Sequence, residues 1–125
     1  MGHGVLVADD ASFVRLMIRQ VLVRLGCSEV LEAGTGWEAI EMYQASRPVL
    51  TILDITMPEL NGLMALEKIM SFDPLAKVIV CSAIAQKNIV RQALDLGALE
   101  FMVKPFRTDE LEKTLRKYLG SGTGS

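Results

Sequence analysis

The chain lacks most of what would send it to a metal cluster, a membrane or a nucleic acid. It has one histidine, two cysteines and four prolines in 125 residues, and its aromatics are one tryptophan, two tyrosines and four phenylalanines. A formal charge of -2 leaves no basic footprint for a phosphate backbone, so no nucleic-acid partner is expected. No apolar run approaches the roughly 20 residues that span a bilayer, and no membrane partner is expected. Met1-Gly2-His3 does not lead into a basic segment and a cleavage site, so no signal peptide is expected. Cys27 and Cys81 have no metal-ligand spacing, and Cys81 lies in an apolar run where a thiol acts as a small core residue. A reducing cytoplasm is the simplest setting for this usage.

What the chain does have is apolar content. Half of its residues are hydrophobic and 22% are charged, the balance of one globular domain able to bury about two-thirds of its unfolded surface. We place that domain at residues 1–119, and the Gly/Ser-rich 120–125 reads as a flexible tail.

Short apolar runs alternate five times with stretches of helical periodicity. Val5 to Ala8 reads as a strand and ends on Asp9-Asp10. From Ser12 to Leu25, Val14, Met17, Ile18, Val21, Leu22 and Leu25 recur at helix spacing, and Gly26 stops the helix. Glu29 to Ala33 is a weaker strand. Thr35 and Glu38 have capping-box spacing, with Trp37, Ile40 and Tyr43 as the buried stripe of the helix that follows. Val49 to Leu53 is the third strand. Leu63, Leu66, Ile69 and Met70 mark a third helix, halted by Asp73-Pro74. Lys77 to Ser82 is a strand buried on both faces. Ile89, Val90, Ala93, Leu94 and Leu96 give a fourth helix, closed by Gly97. Glu100 to Val103 is a short fifth strand, and Thr108 caps a last helix carrying Leu111, Leu115, Tyr118 and Leu119 inward. Strands this continuously apolar, each followed by a helix, predict an α/β fold: a doubly wound five-stranded parallel sheet with five helices. Its expected order, 2-1-3-4-5, is taken over from flavodoxin-like proteins rather than derived.

The polar residues at the strand ends carry the chemistry. They are Asp9 and Asp10, then Asp54, Ser82 and Lys104. In such a sheet the carboxyl ends of neighbouring strands line one crevice. Singly, each reads blandly: a solvated turn pair, a turn aspartate closed by Pro58 and Asn61-Gly62, a core-edge serine, a surface lysine. Together they form a site. Two carboxylates about 5 Å apart repel by roughly 3 kcal/mol at an effective dielectric of 20, and a divalent cation relieves this while keeping them ionised. Few carboxylates with room for water suit Mg²⁺ better than calcium, and no histidine or cysteine favours zinc. An ionised Asp54 beside Mg²⁺ can attack phosphorus, with Lys104 and Ser82 contacting the transferred group. Gly34-Thr35-Gly36 is not a phosphate loop, since no Gly-Lys-Ser/Thr follows.

These residues resemble those of response-regulator receiver domains, and in detail the single-domain chemotaxis regulators among them. The match runs through Asp9-Asp10, Asp54-Ile55-Thr56-Met57-Pro58 with Asn61-Gly62, Cys81-Ser82-Ala83, Gly97-Ala98 and Phe101-Met102-Val103-Lys104-Pro105-Phe106, nearly the whole chain to Leu119. The resemblance implies that Asp54 is the phosphoacceptor, that Asp10 binds Mg²⁺ directly, that Asp9 acts mainly through a water, and that the Thr56 carbonyl completes the ligands. It implies a cis Lys104-Pro105 bond, a switch through Ser82 and Phe101, tuning of phosphate hydrolysis by Thr56 and Ile84, and an output face from about Lys87 to Tyr118. Its partners would be a histidine kinase as donor and an output protein such as the flagellar motor switch. Such a domain is a signalling switch that catalyses only its own phosphorylation and dephosphorylation. Phe101 lacks the hydroxyl of the tyrosine many relatives carry, and Ser82 lacks the methyl of their threonine. A phosphorelay intermediate or a module of a larger regulator fits the same residues. A phosphatase of the haloacid-dehalogenase type fits less well, because Thr56 stands where its second aspartate belongs. A flavin carrier would need aromatics and hydroxyl-rich loops.

Overall fold

The computed structural model describes residues 4–57 and 61–119; Met1, Gly2 and His3, Pro58 and the tail 120–125 lie outside them. The elements alternate strictly. They are β1 (Val5–Ala8), α1 (Ser12–Arg24), β2 (Val30–Ala33), α2 (Gly36–Ser46), β3 (Leu50–Asp54), α3 (Gly62–Phe72), β4 (Val78–Ser82), α4 (Lys87–Leu96), β5 (Glu100–Val103) and α5 (Thr108–Leu119). All strand pairs are parallel, and the sheet runs β2-β1-β3-β4-β5, as expected.

Side chains alternate across each strand, so the sheet feeds two cores. On one face Val5, Val7, Leu50, Ile52, Ile79, Cys81 and Met102 meet Ile18, Val21 and Leu22 of α1 and Leu111 and Leu115 of α5. On the other, Leu6, Ala8, Leu53, Val78 and Val80 meet Ala39, Ile40 and Tyr43 of α2, Ala65, Leu66 and Ile69 of α3, and Ala93 of α4. Covered on both sides, β1, β3 and β4 are buried at every residue, which is why they read as near-continuous apolar runs, interrupted before their ends at Thr51. Burial pushes the Cys81 thiol up to about 12, so it remains a neutral core residue.

The helix ends follow from specific residues. At the end of α1, Gly26 takes φ +92, its N–H donates to Val23 and the Cys27 N–H to Leu22, which closes the carbonyl end of the helix as a Schellman motif. Gly97, at φ +117, ends α4 with the same pair of bonds, to Leu94 and from Ala98 to Ala93. Thr35 accepts from the Glu38 N–H, while Glu38 reaches back to the Gly34 N–H rather than to Thr35. The Asn61 side chain caps α3 by accepting from the Met64 N–H at 3.0 Å.

Four expectations are corrected. Trp37 is 50% exposed: the buried face of α2 is Gly36, Ala39, Ile40 and Tyr43, and a step of about 100° from Gly36 puts the indole at the rim, where the Lys68 ammonium lies 6.0 Å from the ring centre. Leu94 is 45% exposed because α4 turns Ala93 to the sheet, with Ile89 and Leu96 beside it. Val49 precedes β3 and is half-exposed, while the strand extends to Asp54 itself. Thr108 is the first residue of α5, not its cap, and the Arg107 N–H before it is taken by Glu110 at 3.2 Å. No helix among the described residues is long and apolar enough to cross a membrane.

Candidate phosphoacceptor and metal site

The strand register builds the site. Ala8 of β1 lies opposite Leu53 of β3, so Asp9, the next residue, and Asp54 leave adjacent strands at one level; Asp54 in turn faces Cys81 of β4, and Ser82 faces Val103 of β5. Asp9, Asp10 and Asp54 each bring a carboxylate oxygen within 4.8 Å of the others. Asp9 and Asp54 are buried, whereas Asp10 is exposed. Lys104, carried past the end of β5, reaches both buried carboxylates: its Nζ is 2.5 Å from Asp9 Oδ2 and 3.3 Å from Asp54 Oδ2. The Lys104-Pro105 bond is cis, as the resemblance implied.

Each buried oxygen has a distinct environment. Asp9 Oδ1 accepts from the Ala11 N–H at 2.9 Å, and Asp54 Oδ1 accepts from both the N–H (3.0 Å) and the hydroxyl (2.8 Å) of Thr56. Among the described residues, Asp54 Oδ2 therefore keeps only Lys104. Burial is the largest influence on the Lys104–Asp9 pair. It pushes the Asp9 carboxyl up, against the bonds from Lys104 and Ala11. It also opposes the Lys104 charge, but the Asp9 bond and the Asp54 charge outweigh it and hold the ammonium above the usual lysine range.

Of the remaining predicted residues, Ser82 is fully buried, and its Oγ accepts from the Ile84 N–H at 2.9 Å. Ile84 and Thr56 are exposed at the rim. Phe101, on β5, is half-buried and packs on the core beneath α4 rather than in the pocket. Beside Lys104, an apolar hollow of about 310 Å³ opens between Phe13, Val14 and Met17 of α1 and Ala83, Pro105 and Phe106.

Two features escaped the sequence reading. One is the Thr56 hydroxyl on Asp54, which an Asp-x-Thr turn signals weakly, since such side chains bond locally. The other is Arg15, whose Nη1 donates to the Asp9 carbonyl at 2.6 Å. Nothing local in the sequence marks that contact.

The residues fit a divalent cation. Three carboxylates within 4.8 Å repel by at least about 3.5 kcal/mol per pair at an effective dielectric of 20. Lys104 is the single ammonium paired with them among the described residues. The donors are all oxygen, which suits a hard ion.

A doubly wound sheet that gathers carboxylates and an ammonium at the carboxyl edge of its central strands is an α/β domain with its chemistry at the switch point. Within that class, the response regulator receiver domain matches residues 5–116, and the chain belongs to that family. It is similar to the chemotaxis protein CheY of Bacillus subtilis, with 43% identity over 95% of this chain and 99% of the relative. The CheY of Thermotoga maritima is 44% identical over 94% and 98%. Among solved structures, the CheX-CheY-BeF3-Mg²⁺ complex of Borrelia burgdorferi contains a chain with a TM-score of 0.88 and 31% identity, covering 93% of this chain and 88% of that one. Receiver domains are signalling switches of two-component systems.

Proposed function

We propose that this receiver accepts a phosphoryl group from a histidine kinase onto Asp54, with Mg²⁺, and thereby changes the affinity of its α4–β5–α5 face for an output protein. The observation that carries the reading is the meeting of Asp9, Asp10 and Asp54 within 4.8 Å under Lys104. Asp9, Asp10 and Asp54, with the Thr56 carbonyl, would hold the cation, which supplies positive charge against the phosphoryl oxygens when bound.

The chain's own residues do the rest. Thr56 occupies Asp54 Oδ1 with two hydrogen bonds, leaving Oδ2 as the nucleophile. Oδ2 bonds to phosphorus as the P–N bond of the donor phosphohistidine breaks, and the imidazole departs with the electron pair. Lys104 then pairs with a phosphoryl oxygen in place of the Asp54 carboxylate. Ser82 turns its hydroxyl from the Ile84 N–H toward another.

Moving a two-state balance from 1:99 to 99:1 takes about 5.5 kcal/mol. Hydrogen bonds to charged groups are worth roughly 1.5–3 kcal/mol each, so two or three from Ser82, Lys104 and a nearby backbone N–H suffice. Phe101 would follow Ser82 by packing alone, since it has no hydroxyl to donate. Exposed Ile84 would shield the acyl phosphate from water, and Ile84→Ala would shorten its half-life; an unchanged or longer half-life would remove that role.

The output is proposed to be chemotactic and cytoplasmic, supported by relatives that are chemotaxis proteins covered almost end to end. The chemistry is tested by incubation with Mg²⁺ and acetyl phosphate followed by intact mass. One added phosphoryl group is expected, lost in Asp54→Asn and with chelator. Phosphate that persists in Asp54→Asn would refute it. Capture of flagellar switch proteins with and without a phosphate mimic tests the output.

A further inference from the structure

We infer that Arg15 is a positioning residue for the acidic pocket: by tying the Asp9 carbonyl to Glu32 on β2, it sets the direction in which Asp10 leaves the sheet. This deepens the reading above and rests on it. Every polar group of Asp9 is engaged. Its N–H donates to the Ala33 carbonyl, Oδ1 accepts from Ala11, Oδ2 from Lys104, and its carbonyl from Arg15 Nη1 at 2.6 Å. That carbonyl belongs to the planar peptide unit shared with Asp10. Fixing it fixes the plane from which the Asp10 Cα departs, and the Asp10 carboxylate itself has no hydrogen bond within the described residues.

Arg15 is held in turn. Its Nε donates to Glu32 Oε1 at 2.9 Å, and the other carboxylate oxygen takes Arg19 at 2.7–2.8 Å. The Arg15 side chain is 20% exposed, and its rigid fork reaches a carbonyl and a carboxylate at once, which an ammonium on a flexible stem does not do with the same geometry. Outer-shell contacts of this kind typically change metal affinity about 10–100-fold when removed.

Electrostatics alone predicts the opposite sign. Removing a positive charge beside the pocket should tighten Mg²⁺ binding, whereas loosening the Asp9–Asp10 peptide should weaken it. The experiment is Mg²⁺ titration of the full chain by calorimetry at fixed ionic strength, with urea unfolding of each variant to confirm folding. Arg15→Gln and Arg15→Lys should each bind Mg²⁺ about tenfold more weakly. Arg19→Gln, which breaks the other Glu32 pair but leaves the Asp9 carbonyl bonded, should bind as the parent does. Unchanged or tighter binding in Arg15→Gln would overturn the inference, and so would an equal loss in Arg19→Gln. A parent chain that binds no Mg²⁺ would overturn the phosphoacceptor reading and this inference together; a parent that binds, with Arg15 variants that match it, overturns this one alone.

Discussion

Gly62→Ala is a substitution whose sign separates helix propensity from packing. Gly62 opens α3 directly behind Asp54, and its N–H donates to the Ile55 carbonyl at 3.2 Å. Its φ is not positive, so propensity predicts that alanine would stabilise the helix by about 1 kcal/mol. A Cβ built there, however, would lie 2.2 Å from Ile55 Cα, 2.4 Å from the Asp54 carbonyl oxygen and 2.9 Å from Ile55 Cβ. Carbon atoms settle at about 3.5 Å or more, so against 2.2 Å the backbones must part by about 1.3 Å. No flexible side-chain tip can give way. Overpacking costs about 1–3 kcal/mol, and backbone on backbone belongs at the top of that range. The expected net effect is a loss of about 2 kcal/mol, seen as a lower urea midpoint at unchanged slope. Because the displaced atoms belong to Asp54 and Ile55, Mg²⁺ affinity should fall as well. Gly26→Ala is the control: its Cβ meets nothing within 4 Å, so it should lose stability only through its φ of +92 and leave Mg²⁺ binding alone. A Gly62→Ala chain as stable as its parent would refute the packing argument.

Among the described residues the Thr51 hydroxyl, buried in β3, has no hydrogen-bond partner, so Thr51→Val should raise stability by about 1 kcal/mol; a lower urea midpoint would mean the hydroxyl is satisfied after all. The Tyr43 hydroxyl donates to Asp73 at 2.7 Å and is the main reason that carboxyl lies below its ordinary range. A lowered folded-state value means stability that is present above the unfolded value, about pH 3.9, and lost as pH falls through the folded one. The stability gap between the parent and Tyr43→Phe should therefore be constant near neutrality and shrink below about pH 4, in unfolding followed across pH; a gap independent of pH would contradict this. Asp10→Asn should abolish Mg²⁺ binding yet stabilise the metal-free chain, by about 1 kcal/mol or less because Asp10 is exposed; a destabilised variant would show that Asp10 holds the turn together.

The sheet was legible in the sequence because three of its strands are buried on both faces and leave near-continuous apolar runs. The site was legible for a related reason. Parallel strands all end at one edge, so a polar residue that closes an apolar run has its position fixed by topology. What misled was the helix surface. Trp37 and Leu94 recur at helical spacing but lie beside the buried arc rather than in it, and spacing alone does not say where the arc is centred. The capping of α5 was misplaced because the helix begins one residue earlier: the Arg107 carbonyl takes the Leu111 N–H, Glu110 reaches back to the Arg107 N–H, and the Glu110 N–H goes to Asp109. Arg15 was invisible for a different reason: a guanidinium bonded to a carbonyl and to a carboxylate on β2 is a tertiary fact with no local periodicity.

The adjacent carboxylates Asp9 and Asp10 lie in different environments, which bears on how the proposed cation would be held. Asp9 is buried, with both oxygens committed to Ala11 and Lys104. Direct coordination by Asp9 would set the cation against the Lys104 ammonium on the same carboxylate, in a poorly solvated place. Asp10 is exposed, and a cation that takes it displaces only water. The resemblance implies a direct metal bond for Asp10 and a water-mediated one for Asp9, a division under which the Asp9–Lys104 bond would be kept. Lys104 is kept within reach of Asp54 by its bond to Asp9. The same geometry is why the proposed site would need rigid support: among the described residues the Asp10 carboxylate has no hydrogen bond, so its aim depends on the peptide unit behind it.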